Sequence, residues 1–216
     1  MQNSNALSTP HAGVAASYAH ELSSAFDAMD VSCVNSLLTR LTAVIQEGRG
    51  LFLCGNGGSA ATAMHIAYDL SAAALDMGHT PCRVHALSDS PVRVTAIAND
   101  MAYEDTFARQ LAASLMPGDA LLVLSVSGES PNVVAAAKHA RESGLEVLAV
   151  VGQPSTLGTL GDVTVVAGGG DYGLSEDIQL SIGHMAVRML RRVRRFTCSP
   201  PPSLAGSPQR SLVRSD

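Results

Sequence analysis

The sequence contains no tryptophan, only 4% of its residues are aromatic, and Lys138 is its single lysine. A chain so poor in aromatic side chains offers no stacking platform for nucleobases or large sugars. The net charge of −5 excludes a broadly basic face, so no nucleic-acid partner is expected. We interpret the arginines between residues 188 and 195 as the solvent-exposed last turns of a helix, where positive charge complements the helix dipole.

Long apolar runs and metal-binding cysteine patterns are also missing. No apolar segment reaches the roughly 18 residues of a membrane span, and the polar N-terminus does not resemble a signal peptide. The cysteines at positions 33, 54, 82 and 198 show no metal-type spacing. Cys54 and Cys82 fall in predicted strands, which favours small buried side chains in a reducing compartment. We therefore expect a cytoplasmic protein without a membrane partner.

The chain has 216 residues, of which 46% are hydrophobic, so it can bury one sizeable core. Polar and proline-containing ends predict disorder over residues 1–13 and 197–216, with a single domain over 14–196 between them. Two amphipathic helices, at about 14–29 and 31–46, open this domain. Their apolar faces need a surface to cover, which is either the domain's own sheet or a second subunit.

Two strands of this chain each run through a loop rich in glycine and serine into a helix. The first strand covers residues 51–54 and the second 121–124. Free backbone N–H groups and the dipole at a helix N-terminus favour an anion, and the carboxyl ends of parallel strands meet at one edge of a sheet. The two loops therefore predict a phosphate site that comprises Asn56, Gly57, Gly58, Ser59, Ser125, Ser127 and Ser130.

The first loop admits two other interpretations. Gly55, Gly57 and Ala60 also fit the dinucleotide fingerprint G-x-G-x-x-G/A. That fingerprint requires an acidic residue about 20 residues later at a strand end, whereas Asp89 follows about 30 residues after the loop, in a polar turn. No nucleotide cofactor is therefore expected. The remaining alternative is a tight turn from strand to helix that binds no ligand.

The rest of the chain alternates strands with helices, a pattern typical of a doubly wound α/β sheet. The further strands are predicted at 82–87, 145–151 and 163–166, and the further helices at about 91–97, 103–115, 131–143 and 174–195. With these elements and loops the sequence resembles the sugar isomerase (SIS) domain family, and within it the phosphoheptose isomerases. The matching segments are 54–59, 63–65, 98–100, 125–130 with Asn132-Val133, and 177–179.

The resemblance covers roughly residues 14–195, and it implies a flavodoxin-like parallel sheet preceded by N-terminal helices. It also implies a homotetramer or a dimer with sites near the subunit interfaces. The implied reaction converts a ketose phosphate to an aldose phosphate, by analogy sedoheptulose 7-phosphate to D-glycero-D-manno-heptose 7-phosphate. The expected partner is thus a small sugar phosphate.

An aldose–ketose isomerase needs a base beside a substrate carbon and an acid for the oxygen. His65 and Asp69 are four residues apart, so they share one face of the helix that begins at the first loop. They lie about 9 to 15 Å beyond Ser59 along the helix axis, within reach of a sugar held by its phosphate. This spacing predicts a catalytic pair, and the alternative is a simple surface hydrogen bond between the two.

Further site residues are implied by the resemblance. In the resembling isomerases the pair is His and Glu, and in some members it binds zinc with a Gln and a His of the last helix. Asp69 replaces the Glu, Gln179 matches the Gln, and Val187 stands where the second His is expected. His184 is the only histidine of that helix, so the candidate zinc ligands are His65, Asp69, Gln179 and His184. A mechanism without metal remains open.

Further acidic and amide residues enter the candidate site in the same way. Glu176 occupies the position of a family Asp and, with His184, is a further candidate for acid–base chemistry. Asn99, Asp100 and Gln179 are candidate substrate contacts. Because two expected catalytic positions are substituted, two alternatives remain. One is a non-catalytic SIS protein that binds a sugar phosphate or a protein such as a replication initiator, and the other is an isomerase of another sugar phosphate, such as an octose phosphate.

Overall fold

The structure, a computed structural model, describes residues 13–78 and 83–197, with only the backbone given for 193–197. The segments 1–12 and 198–216, which belong to the ends with predicted disorder, lie outside the described residues. Cys82 and Cys198 lie outside them as well. Cys54 is buried in a strand, as expected from the sequence, and this burial raises the pKa of its thiol.

Two helices precede the first strand, α1 (Val14–Asp27) and α2 (Val31–Gln46). Asp30 caps α2, because its Oδ1 accepts hydrogen bonds from the backbone N–H groups of Ser32 and Cys33. The apolar face of α2 packs into the core, whereas α1 has no fully buried residue. Tyr18 of α1 donates a hydrogen bond of 2.7 Å to Asp177 Oδ2, and this bond raises the pKa of Tyr18 to about 12.

Five parallel strands form one sheet in the order β2-β1-β3-β4-β5. The strands are β1 (Leu51–Cys54), β2 (Val84–Ala86), β3 (Ala120–Ser125), β4 (Glu146–Val151) and β5 (Val163–Val166). This is the order of a flavodoxin-like sheet, so the predicted doubly wound α/β class is confirmed. β1 and β3 are neighbours with Cys54 opposite Val123, which places the loops that follow them side by side at the carboxyl edge.

Helices cover both faces of the sheet, and two buried clusters form the core. The remaining helices are α3 (Gly57–Asp76), α4 (Pro91–Asp100), α5 (Thr106–Ala112), α6 (Pro131–Glu142), α7 (Thr156–Leu160) and α8 (Tyr172–Thr197). Helices α2, α3 and α8 pack on one face, and α5, α6 and α7 pack on the other. No single helix among the described residues is long and apolar enough to cross a membrane; α1 and α2 meet that test only as a pair bent by 79°.

Two elements differ from the sequence-based expectation. The predicted helix at 103–115 is a 3-10 turn (Tyr103–Asp105) followed by α5, which ends at Ala112. Helix α7 is not predicted at all, because its five residues are too few to display a helical period. Ser155 is its N-cap residue, and the Ser155 Oγ accepts a hydrogen bond from the Gly158 N–H.

Candidate functional site

The first loop turns directly from β1 into α3. Gly57 has a φ of +54°, a conformation that glycine adopts without a steric penalty. Asn56 is the N-cap residue, but its side chain makes no capping bond. Ala60 donates the first intrahelical hydrogen bond, to the Asn56 carbonyl at 3.2 Å. The N–H groups of residues 57–59 thus have no partner inside the helix and are available to an anion.

The second loop, residues 125–130, is held by its own serines and by α7. The Gly128 N–H donates to Ser125 Oγ at 3.0 Å, and the Gly128 carbonyl accepts from the Leu157 N–H at 3.0 Å. Glu129 Oε1 accepts a 2.7 Å hydrogen bond from the Thr156 N–H, and this bond lowers the pKa of the Glu129 carboxyl. The unpredicted helix therefore determines the shape of the second loop.

Both loops line one cavity of about 270 Å³ at the carboxyl edge of the sheet. The structure brings together all seven predicted phosphate-site residues and adds Tyr172 and Glu176 from the start of α8. The described lining contains no lysine or arginine, so an anion bound here would be held by backbone N–H groups and hydroxyls. Sequence reasoning did not assign Tyr172 to the site. The available signal was its position at the start of the last helix, the element that also provides Glu176.

Glu176 lies at the anion end of this site. A Cβ added to Gly58 would overlap the Glu176 carboxylate, so that carboxylate packs directly on the first turn of α3. The positive end of the α3 dipole favours a negative charge at this position. The sequence predicts Glu176 as a candidate for acid–base chemistry, and the structure places it beside the first loop.

A second group of polar side chains lies farther along α3. Asp69 Oδ2 is 3.4 Å from His65 Nε2 and 3.9 Å from His184 Nε2 of α8. The two imidazole rings meet edge to face with centroids 5.4 Å apart. One potential ligand atom from each residue lies within 4.8 Å of the others. We call these three residues the His–Asp–His cluster. Val187, where the family places its histidine, is packed in the core.

Gln179 lies apart from the cluster along α8. Its Oε1 accepts a 2.9 Å hydrogen bond from Ser59 Oγ, and both side chains are buried. Five residues separate it from His184, which corresponds to about 7.5 Å along the helix and 140° around it. The amide oxygen of Gln179 is thus engaged at the first loop. Of the four candidate metal ligands, the structure groups His65, Asp69 and His184.

Asn99 and Asp100 end α4 and are exposed, with Asn99 Nδ2 donating to Asp100 Oδ1 at 2.9 Å. Neither lines the cavity between the two loops. The chain then turns so that the Tyr103 hydroxyl donates to Asn56 Oδ1 at 3.0 Å. Sequence reasoning did not assign Tyr103 to the site, and no local motif marks it.

A larger cavity, about 650 Å³, lies elsewhere. It runs along the edge strand β2 and is lined by Phe52, His85, Arg93 and Gln110, among others. It contains no residue of either loop and none of the His–Asp–His cluster. We assign the functional site to the smaller cavity, because the N-termini of α3 and α6 converge there at the carboxyl edge of a parallel sheet.

Comparison with known protein families agrees with this geometry. A family model described as the SIS domain matches residues 16–152. The chain belongs to the SIS domain family. A phosphoheptose isomerase from Chlorobaculum parvum is 34% identical to this SIS protein over 170 residues, which cover 77% of this chain and 81% of that one. The resemblance inferred from the loop motifs is thereby confirmed.

Two further comparisons bear on the fold and on coverage. A phosphoheptose isomerase from Mycobacterium tuberculosis is 45% identical over 114 residues, which are 53% of this chain and 58% of that protein. That match spans less than two thirds of the relative's length. The solved structure of a phosphoheptose isomerase from Francisella tularensis superposes with a TM-score of 0.72 at 20% identity, covering 85% of this chain and 99% of that one, which shows a shared fold.

Proposed function

We propose that this SIS protein is an aldose–ketose isomerase that acts on a sugar phosphate. The proposed substrate is sedoheptulose 7-phosphate and the proposed product D-glycero-D-manno-heptose 7-phosphate, since the relatives described above are named phosphoheptose isomerases. One observation carries the proposal. The first loop opens α3, and His65 and Asp69 lie on that helix about 9 to 15 Å beyond Ser59 along its axis, where His184 of α8 joins them. A sugar anchored by its phosphate would place its far carbons at the cluster.

The proposed proton transfers follow from this arrangement. The Asp69 carboxylate takes a proton from C1 of the ketose, while an imidazolium from His65 or His184 gives a proton to the C2 carbonyl oxygen. The enediol that forms then loses its O1 proton and receives a proton at C2, which yields the aldose. We assign the base to Asp69 because Glu176 lies beside Gly58 at the phosphate end.

The residues present fit a divalent metal such as zinc. Two ring nitrogens and a carboxylate oxygen within 4.8 Å are a donor set that zinc accepts, and three protein ligands leave one position for substrate or water. The chemistry that zinc supplies when bound is polarisation of the substrate's carbonyl oxygen. His65, Asp69 and His184 would hold it, while Gln179 keeps its bond to Ser59.

A homotetramer, or at least a dimer, is part of the proposal. The cluster lies on an open face, with the side chains of His65 and His184 about half exposed. Met64 and Tyr68 present exposed apolar surface beside it on α3. Proton transfer through an enediol benefits from the exclusion of water, and a second subunit on this face would provide it.

The test of the proposed reaction is a panel of ketose phosphates with five to eight carbons, with the aldose product measured in each case. We expect conversion of the seven-carbon substrate and a loss of about 100-fold or more in kcat for Asp69→Asn, because the proposed base is removed. Asp76→Asn, which changes an exposed carboxylate at the end of the same helix, serves as the matched control and should keep full activity.

The same panel distinguishes the alternatives. If only the eight-carbon compound is converted, the protein is an isomerase of an octose phosphate, with the same chemistry and a different substrate. No conversion of any member, together with saturable binding of the sugar phosphates, would replace the isomerase by a non-catalytic SIS protein that binds them.

A further inference from the structure

The side chain of Asn56 is almost fully engaged within the protein. Its Oδ1 accepts hydrogen bonds from Asn132 Nδ2 at 2.9 Å and from the Tyr103 hydroxyl at 3.0 Å. Its Nδ2 donates to Asn132 Oδ1 at 2.8 Å. A primary amide offers two N–H donors, so one N–H of Asn56 is left. This pattern is that of a connector between elements, and it leaves one N–H for the substrate contact that the sequence predicts.

Asn132 is the partner in a closed pair of amide hydrogen bonds. It is the second residue of α6, directly after the second loop, and its side chain is fully buried. Its Oδ1 also accepts from the Val133 N–H at 3.0 Å, and its Nδ2 lies 3.3 Å from the Thr106 hydroxyl oxygen. Each polar atom of this buried amide thus has a partner, which holds its orientation.

The pair joins the two anion-binding loops, because Asn56 belongs to the first and Asn132 follows the second. Tyr103 adds a third element, since it lies in the 3-10 turn that follows the exposed pair Asn99-Asp100. Three segments far apart in the chain therefore meet at one amide. Asn56 itself lines the cavity between the two loops, so this contact lies at the edge of the phosphate site.

We propose that Asn132 and Tyr103 are positioning residues that act through Asn56. They hold the two loops at the separation that fits one phosphate group, and they attach the turn after α4 to the phosphate site. The inference rests on the proposed function in one respect, namely that the cavity between the loops binds phosphate. It assigns a role to two residues outside the phosphate site predicted from the sequence.

The test measures binding of inorganic phosphate to the full chain from the dependence of the thermal midpoint on phosphate concentration. We expect Asn56→Ala and Asn132→Ala each to weaken binding about tenfold. The double variant should bind phosphate no more weakly than either single variant, because both changes remove the same pair of amide hydrogen bonds. Gln110→Ala is the control for the loss of a buried amide. The Gln110 Nε2 donates hydrogen bonds to backbone carbonyls on the same face of the sheet, so this variant should lower stability without changing phosphate affinity.

Tyr103→Phe keeps the inference testable if the buried variants fold poorly. This residue is exposed, so we expect no change in the midpoint without phosphate, about threefold weaker phosphate binding, and in the isomerase assay a raised KM with kcat within about twofold. Ser143→Ala, which removes an exposed hydroxyl at the end of α6 opposite to the phosphate cavity, is the control. It should behave like the wild type.

Four results would overturn the inference. A loss of affinity in Asn56→Ala without one in Asn132→Ala would make Asn56 a direct phosphate contact. Additive losses in the double variant would show that the two amides act separately. If phosphate does not stabilise the wild-type protein, the phosphate site itself is wrong and the inference fails with it. If phosphate affinity is unchanged in both Asn132→Ala and Tyr103→Phe, the inference alone fails.

Discussion

Two neighbouring glycines in the first loop are needed for different physical reasons. Gly57 has a positive φ and open space around it, so only the backbone conformation restricts the residue there. Gly58 has no positive φ, but a Cβ on it would overlap the carboxylate of Glu176. One position is limited by backbone geometry and the other by a side chain from α8.

We expect Gly57→Ala to lower the free energy of unfolding by about 1 kcal/mol, the cost of a left-handed conformation for alanine. Gly58→Ala should leave stability unchanged but weaken sugar-phosphate binding about tenfold, because the new methyl group displaces Glu176 into the cavity. Urea unfolding and calorimetric binding measure the two effects. The combined variant Gly58→Ala/Glu176→Ala is the control, and failure of it to recover affinity would contradict the steric explanation.

The second prediction at the scale of single residues concerns metal binding by the His–Asp–His cluster. We expect Co²⁺, as a spectroscopic probe for zinc, to bind with a tetrahedral absorption band that is lost in His65→Ala, Asp69→Asn and His184→Ala. Gln179→Ala should keep the band, because its amide oxygen is bound by Ser59. Loss of the band in Gln179→Ala and its retention in His184→Ala would contradict this ligand set.

Chelation then separates the two roles of Asp69. Isomerase activity that survives exhaustive chelation and disappears in Asp69→Asn would make Asp69 the base without metal. Activity that chelation abolishes and zinc restores would make Asp69 a metal ligand first.

At the scale of secondary-structure elements, one buried carboxylate joins the starts of three strands. Asp119 precedes β3 and accepts hydrogen bonds from the Gly50 N–H before β1 at 2.7 Å and from the Met116 N–H at 2.8 Å. Arg83, which precedes β2, donates to both of its oxygens. Burial alone would raise the pKa of Asp119, but Arg83 and the two N–H groups hold it below its usual value.

We expect Asp119→Asn to lower the free energy of unfolding by about 3 kcal/mol at pH 7, since Arg83 loses its charge partner in a largely buried site. A carboxyl with a depressed pKa stabilises the fold above its unfolded pKa of about 3.9 and loses that contribution as the pH falls through its folded pKa. The difference in unfolding free energy between Asp119→Asn and the wild type should therefore shrink below about pH 4. Urea unfolding from pH 7 to pH 3 measures it, with Asp76→Asn as the exposed control; a constant difference would contradict the explanation.

At the scale of the whole molecule, the exposed apolar surface predicts self-association. Helix α1 has no fully buried residue and exposes Val14, and Val31, Tyr68 and Leu75 are exposed on other helices. Such a surface is typical of a subunit interface. We expect sedimentation at micromolar concentration to give a homotetramer or a dimer, and a monomer at that concentration would contradict the prediction.

Much of the architecture was predictable because it depends on local signals. Strands β1 and β3 read as short apolar runs, glycines and serines mark the turns, and Pro131 marks the start of α6. The alternation of strands and helices predicts a parallel sheet, and the structure confirms it. The same signals are too weak for α7, which is one turn long, and for the 3-10 turn before α5.

The two loops that line the candidate phosphate cavity belong to the predictable part of the site. Each is contiguous in the chain and lies where a parallel strand ends, so spacing alone predicted their meeting. The partners within the cluster and the amide pair do not follow from spacing. Asn56 and Asn132 are brought together by α6 and the second loop, and the chain between them contains no signal for this contact.

The packing of α3 against α8 decided the rest of the site. Gly183 lies against Ile66, where a Cβ would overlap the isoleucine side chain, and this close approach aligns the two helices. That alignment places His184 beside Asp69, Gln179 beside Ser59, and Val187 in the core. A shift of three residues turns a helical position by about 300°, so which residue faces the partner helix depends on the contact between helices. Residues 77–171 separate these helices in sequence, and only their tertiary packing sets that contact.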